Sequence, residues 1–89
     1  MLYDRAVTIT AYTAPGEILM INVSEGNWDH MDVLHHHGIG VDLDADGHVL
    51  GIEVIERSKF DLDAVAAEYG IEDLVPQIRA AIAVAKPGP

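Results

Sequence analysis

Four carboxylates set closely together in the middle of the chain offer its clearest opening for chemistry. Asp42, Asp44 and Asp46 alternate with Leu43 and Ala45, Gly47 follows, and Glu53 stands where the calcium loop of an EF-hand places its last ligand. Calcium gathers about six to eight oxygens, and alternate carboxylates closing on a terminal glutamate supply them when the loop runs between two helices. The sequence does not spell those helices. Gly38-Ile39-Gly40-Val41 before the loop carries two glycines and β-branched residues, and Ile52-Glu53-Val54-Ile55 after it alternates like a strand. Asp42, Asp44, Asp46 and Glu53 are therefore expected to form at most a weak, calcium-like set.

A second group of donors, His35-His36-His37, lies just upstream. Neighbouring residues on a strand point to opposite faces, so three consecutive imidazoles cannot converge on one ion from a regular strand. A metal site would need His35 and His37 with a further ligand such as His30, Asp32 or Glu56, a mixture suited to zinc or another transition metal. The competing reading is a His37–Glu56 pair with solvated imidazoles at the end of a sheet, and no recognised ligand spacing argues against it. Covalent catalysis has little to work with. The chain has no cysteine, its serines Ser24 and Ser58 sit in no nucleophile elbow, and no glycine-rich phosphate loop is present. No catalytic or cofactor-binding residue is assigned, and a divalent metal at His35, His37 and Glu56 remains the alternative to having no cofactor.

The element that must position the carboxylates is a β-hairpin. Asp46-Gly47 is the dipeptide favoured by a two-residue type I′ turn, whose central residues both need positive φ. A turn there pairs Leu43 with Leu50, Val41 with Ile52 and Ile39 with Val54, so each apolar residue of the inner face meets another. The outer face then carries Gly38, Gly40, Asp42 and Asp44 opposite Val49, Gly51, Glu53 and Ile55, and is bare and acidic. Strand glycines there mark local bulges or close approach by another group.

Val41-Asp42-Leu43-Asp44-Ala45-Asp46-Gly47-His48-Val49-Leu50-Gly51-Ile52-Glu53-Val54-Ile55, with Ser58 close behind, resembles the signature of a small bacterial and phage family catalogued as domain of unknown function 2283. The similarity spans roughly residues 17 to 58, with Arg57 where the family usually has alanine; the histidine-rich connector and the tail lie outside it. The resemblance implies a compact, mostly β domain and brings no activity, cofactor or catalytic residue.

Taken in order, residues 5–13 alternate as a first strand, and Ala14-Pro15-Gly16-Glu17 fits a type II turn because proline presets φ and glycine accepts a positive one. Residues 17–24 form a second strand, whose run Ile18-Leu19-Met20-Ile21 is apolar on both faces. Residues 25–37 connect to the hairpin as a loop. Past residue 57 the apolar period lengthens to that of a helix. Asp61 caps a helix to about Tyr69 that Gly70 ends, and a second helix runs from about residue 73 to 85 with Pro76 in its first turn. Residues 86–89 are expected to fray. The expected architecture is a single α+β domain over residues 1–89: an antiparallel sheet of about four strands, two hairpins in series over about 5–57, then two helices over about 61–69 and 73–85.

Composition narrows the function. Fifteen acids against five bases give a formal charge of −10. The bases form no stripe, which disfavours nucleic acid and anionic membrane surfaces. The apolar runs fall far short of the ~20 residues that cross a bilayer, and the start of the chain has no basic and apolar leader, so a cytoplasmic location is expected. Two helices cover only one side of such a sheet, so apolar surface left on the other predicts a homodimer. These features favour a small acidic non-enzymatic interaction or regulatory module with a protein partner, for which an antitoxin-like or phage accessory role fits. The alternative is a small metal-binding protein or metal-dependent hydrolase using His35, His37 and the acidic hairpin face.

Overall fold

The fold, seen in a computed structural model describing residues 9–88, is α+β, and its strands follow the apolar alternation. They are β1 (Thr10–Ala14), β2 (Ile18–Asn22), β3 (His30–Leu34), β4 (Ile39–Leu43), β5 (Val49–Val54) and β6 (Lys86–Pro87), joined in one sheet in the order β3-β4-β5-β2-β1-β6. All neighbours are antiparallel except β1 and β6. The helices α1 (Leu62–Tyr69) and α2 (Val75–Ala83) lie between β5 and β6 in the chain. No helix is long and apolar enough to cross a membrane among the described residues. Residues 5–8 of the expected first strand, and Pro89, fall outside the described residues.

Six strands stand where the pattern predicts about four, and each addition has a physical reason. β3 lies within the expected loop. Its apolar residues Met31 and Val33 face away from the helices while Asp32 faces Tyr69 of α1, so its alternation is inverted relative to a core strand, and only Leu34 at its end packs against the core. β6 forms from the expected fraying tail. Lys86 and Pro87 pair with Tyr12 and Thr13, the Gly88 N–H donates to the Thr13 carbonyl at 2.9 Å, and an edge position tolerates the proline. The turn before β2 has the expected positive φ at Gly16, 83°, and a second at Glu17, 63°.

The hairpin of β4 and β5 keeps the expected register for Ile39 with Val54, Val41 with Ile52 and Asp42 with Gly51, then slips: Leu43 faces Val49, and Leu50 is the extra residue. The turn is the cause. Asp46 keeps a negative φ, which a type I′ turn forbids, and the Gly47 N–H donates to the Asp44 carbonyl at 3.1 Å. The loop is thus a type I turn over Asp44–Gly47 followed by Gly47 in the left-handed region at φ 84°. One residue more in the loop rotates Val49 into the core and leaves Leu50 half-buried. The Leu50 carbonyl then accepts from Val23 N (2.9 Å) and Ser24 N (3.2 Å), tying the bulge to the end of β2.

The helices begin and end where their caps dictate. An Asp61 carboxylate oxygen accepts from Ala64 N at 3.2 Å, and Gly70 closes α1 at φ 69°. A 3-10 turn, Glu72–Leu74, precedes α2, whose proline sits in the first turn as expected; α2 stops short of residue 85 because the chain leaves to form β6. Leu62, Val65, Ala66, Ile71, Leu74 and Ile78 pack on Leu19, Ile21, Val23, Ile39, Val41, Leu43, Val49, Ile52 and Val54 as one cluster. Every one of those sheet residues lies on the same face.

Gly38 ends the histidine turn at φ 63°, where an added Cβ would come within 2.6 Å of Glu56 Cβ and 2.7 Å of the Glu56 carbonyl oxygen. Gly38→Ala should therefore lower the unfolding free energy by about 2–4 kcal/mol, combining left-handed strain with a backbone clash. Gly47→Ala, with nothing within 4 Å of its Cβ, should lose about 1 kcal/mol from strain alone. Urea denaturation separates the two, and equal losses would contradict the Glu56 contact.

Candidate functional site

The face turned away from the helices is built from two rows of side chains across five strands. Pairing aligns Val33, Gly40, Glu53, Met20 and Tyr12 in one row and Met31, Asp42, Gly51, Asn22 and Thr10 in the next. Each acid therefore faces a glycine across the β4–β5 ladder. Neighbours fill the gaps: a Cβ at Gly40 would meet Met31 Sδ at 2.6 Å, and one at Gly51 would lie 3.0 Å from the Ile21 carbonyl oxygen. The strand glycines thus have a local cause, Gly40 leaving room for Met31 to lie down on the sheet and Gly51 for the backbone of β2.

Asp42 and Glu53 meet in the middle of this face. Trp28, from the loop before β3, donates its indole N–H to Asp42 Oδ1 at 3.1 Å while 62% exposed. Burial first, then the Asp42 charge and a hydrogen bond with Asp42, raise the Glu53 pKa above its ordinary value of 4.5. Glu53 thus gives up its proton at a higher pH than a free glutamate does. Around them stand the half-buried Ile18, Met20, Met31 and Tyr12 and the exposed Val33 (53%) and Ile55 (58%).

The calcium-like set is split. Asp42 and Glu53 belong to the open face, while Asp44 and Asp46 belong to the turn. There Asp44, 8% exposed, accepts from Asp46 N (3.0 Å) and His48 N (2.8 Å) through Oδ1, and its Oδ2 lies 3.0 Å from His48 Nδ1. Asp44, Asp46 and His48 offer donor atoms within 4.8 Å of one another, the one such trio among the described residues. Asp44 directs Oδ1 at the backbone of its own loop and Oδ2 at the His48 ring, which is the work of an aspartate holding a turn.

The histidine run occupies a 3-10 turn between β3 and β4 rather than a strand. His35 and His36 are exposed, His37 is half-buried, and the rings of His36 and His37 lie 4.1 Å apart at 44°. Glu56 is not paired with His37. Its N–H and that of Ile55 donate to the Gly38 carbonyl, and its carboxylate meets Lys59 at 3.2 Å. The structure accordingly does not gather His35, His37 and Glu56 into a three-donor cluster. His30 lies apart from them, its Nδ1 2.7 Å from Asp29. On the covered face, Tyr69 donates its hydroxyl to Asp32 at 2.9 Å, and burial with that bond raises its pKa.

Sequence reasoning missed Trp28, Met31 and His48. A single tryptophan in a polar loop was the available signal for the first, and the inverted alternation of residues 30–34 for the second. Comparison with known proteins found no family model, curated protein or solved structure that matches the chain.

Two outcomes follow from this geometry. Asp44→Ala leaves the turn's N–H groups without their acceptor and should lose about 2–3 kcal/mol in urea denaturation, whereas Asp44→Asn, which keeps Oδ1, should lose about 1 kcal/mol; a loss within about 0.5 kcal/mol for alanine would refute the turn lock. For Glu53, the folded chain binds the proton more tightly than the unfolded one. Stability therefore falls as pH rises from 4.5 through the raised value and stays lower above it. Glu53→Gln should raise the melting temperature near pH 7 and leave it unchanged below about pH 4. A gain of the same size at both pH values would contradict the raised Glu53 pKa.

Proposed function

We propose that the chain is a small non-enzymatic interaction module that binds another protein with the open face of its sheet. The observation that carries this reading is the cluster of exposed Trp28, Val33 and Ile55 on the side opposite the helices. Singly exposed apolar residues are ordinary, but here they border the half-buried Met20, Met31 and Tyr12 on one continuous sheet surface. Tryptophan, tyrosine and methionine are also the residues that interfaces favour. Catalysis has weaker support. The Ser24 hydroxyl donates to the Val49 carbonyl at 2.7 Å, and the Asp42–Glu53 pair stands half-exposed on the sheet surface. The metal reading must contend with an Asp44 Oδ1 that already accepts two N–H groups of the turn.

The test uses soluble extract of the native host, with the chain detected at its natural level by size-exclusion chromatography. The wild-type chain should elute in a species larger than its 9.6 kDa mass, and a Val33→Asp/Ile55→Asp variant with an unchanged circular dichroism spectrum should elute as the monomer. Wild-type chain running as the monomer in extract would contradict the reading.

A further inference from the structure

We propose that the occupant of the open face is a cationic segment of another protein, whose arginine or lysine reaches the Asp42–Glu53 pair while apolar neighbours settle on Met31, Val33 and Trp28. This rests on the open face being a docking surface, and it names what docks there.

Two carboxyls lie side by side at the centre of an apolar face, and among the described residues no lysine or arginine of the chain pairs with either. Lys59 is engaged by Glu56 at 3.2 Å and Arg79 by Asp63 at 2.7 Å, while Arg57 donates to Thr13 at 3.4 Å. A half-buried acid pair with no cation of its own is left to be neutralised by a proton or by a partner, and a guanidinium matches paired carboxylates with two parallel N–H donors. Trp28 adds a second feature. Its indole N–H on Asp42 Oδ1 at 3.1 Å sets the ring beside the acid, so the apolar neighbours of a cation reaching Asp42 meet an exposed aromatic side chain. Met31 is a third. It rests on Gly40 next to the pair, and an unbranched thioether re-packs easily around an incoming side chain.

A second copy of the chain is the rival occupant and fits less well. It carries the same formal charge of −10 and the same acid pair, so stacking two open faces sets like charge against like at the centre of the contact. A basic segment relieves that charge and covers the same apolar rim.

Trp28 is the chain's single tryptophan, so its fluorescence reports on this site alone. The purified full chain is titrated with a short alternating leucine–arginine peptide and with the same peptide carrying citrulline, the uncharged isostere, in place of arginine. The arginine peptide should give a saturable change in Trp28 emission, and both the citrulline peptide and the Asp42→Asn/Glu53→Gln variant should bind at least about tenfold more weakly. Glu72→Gln/Asp73→Asn, which removes the same charge beside α2, should leave binding unchanged. Equal loss in that control would assign the affinity to diffuse charge and overturn the proposal, as would equal binding of the citrulline peptide. Sedimentation equilibrium is run alongside. A dimer dispersed by Val33→Asp/Ile55→Asp, with no peptide binding, would overturn the cationic occupant while leaving the face a docking surface between copies. A monomer that binds neither peptide would overturn both readings.

Discussion

Two helices of eight and nine residues can shield one side of a sheet this wide, and much else in the chain follows from which side they take. They cover the face that carries Leu19, Ile21, Val41, Val49, Ile52 and Val54, which burial makes the dry core. The opposite face must then be made tolerable in water by other means. It is studded with acids, thinned by Gly40 and Gly51, and partly sheltered by Met31, which lies across the glycine opposite Glu53. Even so, Val33, Ile55 and Trp28 stay in solvent. A sheet dressed this way carries charge at its centre and exposed apolar side chains at its rim.

The turn at Asp44 determines how well the covered face closes. Had the loop taken two residues, Leu50 would face Leu43 and Val49 would point to solvent. Asp44 instead gathers the N–H groups of Asp46 and His48 and enforces one more loop residue, so Val49 enters the core and the freed Leu50 carbonyl binds the end of β2. The aspartates that spell a calcium loop thus do two unrelated jobs. Asp44 shapes the backbone, while Asp42, two residues away and on the other side of the bulge, joins Glu53 on the open face. A regular expression cannot separate these roles, because the separation is made by a single inserted residue.

Much of the fold was legible in the sequence where the signals are local. The start and end of α1 follow from Asp61 and Gly70, whose preferences depend on nothing distant, and the hairpin register holds from Ile39 to Asp42 because one-sided burial enforces it. The failures all depend on tertiary context. Asp46-Gly47 is equally at home in a type I′ turn and at the end of a type I turn with a left-handed glycine, and the choice was made by Asp44. β3 was hidden because Met31 and Val33 sit on the uncovered face, and β6 because a two-residue strand exists only by virtue of the β1 edge beside it. The candidate site was half visible. The outward placement of Asp42 and Glu53 followed from the pattern, whereas the approach of Trp28 from a loop could not be read from spacing.

The central claim, that the open face is a surface made to be covered, is tested most directly by oxidative footprinting of the chain in its native cells and after purification to dilute monomer. Met20, Met31 and Trp28 carry the readily oxidised side chains of that face, and peptide mass spectrometry reads each one separately. The account predicts that Met31 and Trp28 are protected in cells and become reactive in the dilute chain. Equal modification in both states would mean that the face stays bare where the protein works, and would contradict the account.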